Sequence, residues 1–448
     1  MKHTMRDLYQ MQSLPLKYKI QMTKQRIKAW YEHYDGEVCV SFSGGKDSTV
    51  LVDIVNDMGY TDIPLVYVDT GLEYPEVRDF VKSYGDRVVW LKPKMNFRQV
   101  IEKYGYPFIS KEVSECVYGA RKYLTKLLES EKSLQTDRQT DRQTDRTVTD
   151  TKSLLRQEHI RNIRDGKHHY YQCETSKLLG TCRQNSNQPC NKRGGQITSI
   201  ENLKDWANTN PYILNARLAM MLGVYEKNWN EKKKANIPNN DFDRSIFSQE
   251  RYQFFLDAPF EIAPNCCSVM KKEPIHRFNK QSGKKPMTAM MAAESRLRTK
   301  QWIKNGCNGF EMKNPISNPM SFWTEQDVLL YIKNRNIKIA SVYGDIVPDY
   351  HKTGDCEGQI SLNELPEEYG IFDFEYPVLK TTGCDRTGCM FCGFGCHLEK
   401  PGEGRFERMK KTHPKQYEWI MKSWEDGGLN YKEVIDWINE NGNLNIKY

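Results

Sequence analysis

The chain has 448 residues, enough for two or three domains of ordinary size. Only 38% of them are hydrophobic and the mean hydropathy is -0.75, so part of the length is not core; aromatic residues at 11% still exclude disorder throughout. Lysine and arginine (66) exceed aspartate and glutamate (58), and the net charge of +8 suits an anionic ligand such as a nucleotide, a phosphate or a nucleic acid.

No run approaches the roughly 18 apolar residues of a membrane helix, and the N-terminal MKHTMRDLYQMQSLPLKYK lacks the apolar stretch of a secretory signal. A soluble, cytoplasmic protein without a membrane partner is expected. In that setting the thirteen cysteines read as metal ligands or working thiols rather than as a secreted disulfide framework.

Residues 1–35 read as helix, with apolar residues at helical spacing from Tyr18 to Tyr34. Glu37–Phe42 reads as a strand, because Val38, Val40 and Phe42 alternate. The helical pattern TVLVDIVNDMGY follows, then a second strand at Ile63–Gly71, a helix in YPEVRDFVKSYG and a third strand in RVVWLKP. Strands and helices alternating at this spacing predict βαβ units and a parallel, Rossmann-like α/β sheet. Near residue 130 the composition breaks. Gln135–Arg146 is QTDR three times over, a repeat that cannot bury a face, and the polar character persists to about residue 245. This stretch reads as a partly disordered insertion, with Pro211–Leu222 a helical candidate within it. Ser321–Ile337 predicts a helix capped by Thr324 with Asp327 three residues on. The expected organisation is 1–128 as the first half of a nucleotide-binding domain, 129–248 as the insertion, 249–380 as its second half, and 381–448 as a cysteine-rich metal-binding module with C-terminal helices.

The chemistry starts at SGGKDS, between the first strand and its helix. Gly44 and Gly45 let backbone N–H groups approach a phosphate, and the helix N-terminus adds a positive field. Lys46 adds a charge, Ser43 and Ser48 add hydroxyls, and Asp47 is the acidic member. The loop is not a Walker A motif, since Val40 stands where the first glycine is required. A second set of residues lies in GCDRTGCMFCGFGCH. Cys384, Cys389, Cys392 and Cys396 crowd a glycine-rich loop whose turns can point several thiolates inward; zinc and an iron–sulfur cluster both accept such ligands.

SGGKDS resembles the PP-loop of ATP pyrophosphatases and sulfonucleotide reductases, and Asp69 in VYVDTG fits the acidic residue often found after the second strand of that group. NCCSVMKKEP (Asn265–Pro274), TAMMAAESRLR (Thr288–Arg298) and NPMSFWTEQDVLLYI (Asn318–Ile332) are similar in order and spacing to phosphoadenosine and adenosine phosphosulfate reductases. The resemblance covers roughly residues 20–125 and 250–425 and points to a phage and bacterial branch. It implies that Arg296 and Arg298 contact the nucleotide, with Lys111 as a further anion contact. It also implies a 4Fe-4S cluster on Cys266, Cys267, Cys389 and Cys392, with Cys384 an extra candidate and zinc (Zn2+) the alternative. ATP or an adenylyl phosphosulfate is the expected nucleotide, aided by Mg2+. The reductases carry their catalytic cysteine in a C-terminal tail, whereas this sequence ends NENGNLNIKY, so no catalytic residue is assigned.

Three functions follow as expectations. The first is a PP-loop enzyme of sulfur transfer or nucleotidyl activation. Its acceptor would be a sulfur-accepting molecule or a nucleic acid, contacted by the basic segments Lys271–Lys285 and Arg405–Lys415, and a sulfur-donor protein would serve as partner. The second is a phosphosulfate reductase working with a thioredoxin-like partner and releasing sulfite. The third is a zinc-stabilised nucleotide- or nucleic-acid-binding module.

Overall fold

In the computed structural model of the chain, residues 3–123, 125, 221, 249–349 and 378–448 are described. The QTDR repeats, all of the helical candidate Pro211–Leu222 but Met221, and nearly all of the expected insertion lie outside them. The chain divides into two compact units, Met1–Val100 with Cys266–Cys392, and Ile101–Asn265 with Gly393–Tyr448.

The first unit is built on a six-stranded sheet. Its strands are β1 (Val38–Ser41), β2 (Leu65–Val68), β3 (Val88–Leu91), β5 (Lys285–Met287), β6 (Asn308–Gly309) and β7 (Ile316–Ser317), in the order β3-β2-β1-β5-β7-β6. Every pairing is parallel except that of β6 with β7. The three early strands fall where the alternation of β-branched residues places them. β1 is central because it can be buried on both faces: Val38, Cys39 and Val40 are all inaccessible to solvent. The helices Leu16–His33, Lys46–Asp57 and Glu325–Arg335 bury Ile27, Trp30, Val50, Leu51, Ile54, Val55, Val328 and Tyr331 in one core with β1 and β2. The N-terminal helix expected over 1–35 is in fact two, Met5–Gln12 and Leu16–His33. Pro15 has no N–H to continue the first and stands as N-cap of the second.

The helix at Glu325 starts as its sequence predicts. The Thr324 side chain accepts from Asp327 N–H at 3.3 Å, and Asp327 accepts from Thr324 N–H at 2.7 Å. Asp327 also receives both hydrogen bonds of Lys19 Nζ, at 2.8 and 2.7 Å, so a buried ion pair ties this helix to the N-terminal one.

In the second unit β4 (Phe108–Ile109) pairs in parallel with β8 (Gly393–Phe394). Around them Tyr106, Phe108, Phe406 and Tyr431 pack ring against ring, with the helices Arg405–Thr412 and Tyr431–Gly442 supplying the last two. Among the described residues, no helix is long and apolar enough to cross a membrane.

Candidate functional site

β1 has β2 on one side and β5 on the other, so the chain leaves its C-terminal end at a reversal of strand order. Open α/β sheets bind ligands in the crevice at that point. Ser43–Ser48 stands there. Gly44 has φ +69°, and a Cβ on it would lie 2.6 Å from Val81 Cγ2 and 2.8 Å from Val77 Cγ1, so only glycine fits. The serines close the loop on itself. Ser43 Oγ is 3.1 Å from Ser48 Oγ and accepts from Gly45 N–H, while Ser48 Oγ donates to the Gly45 carbonyl at 2.9 Å.

Lys46 does not reach freely toward solvent. Its side chain is 3% exposed, and Nζ lies 2.8 Å from the Asp385 carbonyl and 3.0 Å from Glu325 Oε1. Its backbone N–H donates to the Tyr343 hydroxyl at 3.1 Å, and that hydroxyl is 2.6 Å from Thr387 Oγ1. Burial raises the pKa of Asp47, with Lys46 opposing and Glu325 reinforcing the shift, and one carboxylate oxygen of Asp47 has no hydrogen-bond partner.

Of the two arginines in the second motif, Arg298 comes into the field of Asp47, while Arg296 is exposed in the first turn of the helix Arg296–Asn305. Arg298 pairs with Glu294, and Arg386 Nη1 lies 4.0 Å from the same carboxylate. Burial lowers the pKa of Arg298, and repulsion from Arg386 lowers it further. Two guanidinium groups are therefore crowded together near the loop. Asp69 lies just past β2 but is held by Arg78, at 2.8 and 3.1 Å. Lys111 belongs to the second unit, where it is exposed at the start of the helical residues 111–123.

Cys266 and Cys267 precede a π-helical turn, Ser268–Lys272, a geometry that recurs at functional sites. Burial pushes the Cys266 thiol up, and the neighbouring Cys389, Cys267 and Cys392 push it further. Burial likewise raises Cys389 to about 11, against the pull of Lys271, with Glu73, Cys392 and Cys267 adding to the rise. Burial works against the charge of Lys271, but Cys389 and Glu73 raise its pKa overall, and its Nζ is 3.5 Å from Glu73. Cys267, Cys389 and Cys392 thus all act on Cys266, although they come from two distant stretches of chain. Cys384 takes another place: its N–H donates to the Val342 carbonyl at 2.9 Å and its carbonyl accepts from Thr381 Oγ1 at 3.0 Å. Among the described residues no three His, Cys, Asp or Glu side chains are closed into a metal-holding set. A set of four thiolates is nonetheless the donor chemistry that an iron–sulfur cluster or a zinc ion requires.

Tyr343, Glu325, Glu294, Thr387 and Arg386 escaped the sequence reading as site residues. Arg386 had a visible marker, lying between two cysteines of the glycine-rich loop. Tyr343 had none, because its partner Lys46 is remote in sequence.

The phosphoadenosine phosphosulfate reductase domain is matched over residues 37–151 and 219–393, more than half of the chain. The chain belongs to the phosphoadenosine phosphosulfate reductase domain family. It is 39% identical over 85 residues to an uncharacterized protein of Methanocaldococcus jannaschii, covering 18% of each chain. It is 27% identical over 97 residues to an adenosine 5'-phosphosulfate reductase of Staphylococcus epidermidis, covering 20% of this chain and 40% of that one. Over 96 residues it is 25% identical to the adenosine 5'-phosphosulfate reductase of Geobacillus kaustophilus, with the same coverage. The match therefore spans less than half the length of these relatives.

Proposed function

We propose that this chain is an enzyme that binds an adenine nucleotide at Ser43–Ser48 and uses it in sulfur transfer or nucleotidyl activation. The observation that carries the reading is that Arg298 and Arg386 both lie against the Glu294 carboxylate beside the loop. Glu294 turns one carboxylate oxygen to each guanidinium group, and the donors that Arg386, 62% exposed, leaves to solvent suit a further oxyanion such as a nucleotide phosphate. In the reaction an acceptor atom attacks the α-phosphorus of ATP, the bond to the bridging oxygen breaks, and pyrophosphate leaves with its electron pair. Loop N–H groups hold the phosphate oxygens, and Arg298 and Arg386 stabilise the charge that develops on them. The Asp47 oxygen that lacks a hydrogen bond, 3.9 Å from Lys46 Nζ, suits a divalent cation, and Mg2+ there would supply further charge neutralisation. Cys266, Cys267, Cys389 and Cys392 have the donor chemistry of a 4Fe-4S cluster, which when bound would supply an electron-accepting, sulfur-coordinating centre.

Titration calorimetry of the anaerobically purified protein with ATP, adenosine phosphosulfate and phosphoadenosine phosphosulfate tests the nucleotide site. Arg298→Ala and Arg386→Ala are expected to weaken the preferred ligand at least ~10-fold each, about 1.4 kcal/mol. No binding of any of the three would overturn the reading. About four iron with sulfide per chain is expected; one zinc without iron would remove the cluster and favour the binding-module alternative.

A second reading, phosphosulfate reduction, is favoured by the likeness to the two reductases. A thiolate would attack the sulfur of the phosphosulfate, releasing the adenine nucleotide, and a thioredoxin-like dithiol would then reduce the enzyme S-sulfonate to free sulfite. Sulfite release with reduced thioredoxin distinguishes this from pyrophosphate release.

A further inference from the structure

Lys46 is held at both its main chain and its side chain by residues that lead into the cysteines. Its N–H donates to Tyr343 Oη, its Nζ donates to the Asp385 carbonyl, and the Tyr343 hydroxyl lies 2.6 Å from Thr387 Oγ1. Asp385 and Thr387 run directly into Cys389. The packing leaves little slack. A Cβ on Gly45 would meet Tyr343 Oη at 3.2 Å and Thr387 Oγ1 at 3.4 Å; one on Gly383 would meet the Val342 carbonyl at 2.2 Å. The strap 382–387 is further fixed to the turn bearing Tyr343, since Gly383 N–H donates to the Tyr343 carbonyl and Cys384 N–H to the Val342 carbonyl, both at 2.9 Å.

We propose that Tyr343 is a positioning residue that couples nucleotide occupancy of the phosphate loop to the segment carrying Cys389 and Cys392. The inference rests on the nucleotide-binding reading above. A phosphate at the start of the helix Lys46–Asp57 draws on the donors Lys46 N–H and Nζ, which Tyr343 and Asp385 now occupy. Phosphate oxygens and these internal acceptors compete, so binding shifts the Tyr343–Thr387 pair and the strap moves with it. By linkage, the state of the strap changes nucleotide affinity by the same factor.

Hydrogen–deuterium exchange of the purified holoprotein, with peptides spanning 383–392 followed by mass spectrometry, tests this at ATP concentrations that saturate each variant by calorimetry. In the wild type, ATP is expected to change exchange across 383–392. In Tyr343→Phe, which keeps the ring and loses only the hydroxyl, that ATP-dependent change is lost. Thr387→Val gives the same loss, and the double variant behaves like either single one. If Tyr343→Phe does not fold, Thr387→Val decides. If ATP binds the wild type yet 383–392 does not respond, or the response survives in the variants that fold, the coupling is wrong and the nucleotide site stands. If ATP does not bind, exchange is read with whichever phosphosulfate does, and if none of the three nucleotides binds, both fall together.

Discussion

Lys46 Nζ lies 3.0 Å from Glu325 Oε1, so the lysine of the phosphate loop is neutralised from within the fold. The sequence presents this lysine as a charge offered to phosphate. The structure makes it also a tie between the loop, the helix Glu325–Arg335 and the strap at Asp385. Lys46→Met is therefore expected to lower stability by about 2 kcal/mol as well as weaken nucleotide binding. Glu325→Gln is expected to cost less, about 0.5 kcal/mol, because that carboxylate is 42% exposed. Urea unfolding of both variants checks the order; equal losses would contradict it.

Asp47 offers a pH test. Its pKa in the fold is raised above the ordinary 3.8, chiefly by burial. The unfolded carboxyl therefore gives up its proton first as pH rises. Its contribution to stability is full below pH 3.8 and is lost as pH climbs through the higher folded value. Asp47→Asn, uncharged at every pH, should stabilise the ligand-free protein at pH 7. The gain should shrink toward pH 4. Thermal melts at the two pH values measure it, and a gain that grew on acidification would refute the assignment.

Lys19 and Asp327 form the best buried ion pair of the first unit, with side chains 3% and 12% exposed. Lys19→Met strands the carboxylate among apolar neighbours and is expected to cost about 3 kcal/mol in chemical denaturation. Asp327 retains its two bonds from Thr324, which limit the loss.

Gly44 and Gly45 are adjacent but not equivalent. Gly44 needs positive φ and has Val81 against it, whereas Gly45 has φ -78° and a hydroxyl-lined contact at 3.2 Å. Gly44→Ala is expected to cost about 2 kcal/mol or more, clearly more than Gly45→Ala. Comparing the two melting temperatures settles which glycine sets the turn.

What could be read without coordinates was what is local. The alternation of Val38 and Val40, the glycine turn into Lys46 and the Thr324–Asp327 cap each lie within a few residues, and each forms where its pattern places it. The break at Pro15 was local too, but apolar spacing on both sides of it masked it. β5 and β7 have three and two residues, too few to show a period. Tyr343, Glu325 and Arg386 join the site through partners remote in sequence, and no local pattern marks such contacts.

The register of β1 against β5 has a kinetic side. Val38 pairs with Lys285, so half of the sheet's central contacts cannot form until the whole intervening chain has closed. Closure entropy grows only logarithmically, about 0.6 kcal/mol for each doubling of length. Lengthening or shortening the QTDR run should therefore hardly change equilibrium stability. Distant pairings of this kind slow folding, and the exposed flank of β1 is where a newly made chain waits longest for its neighbour.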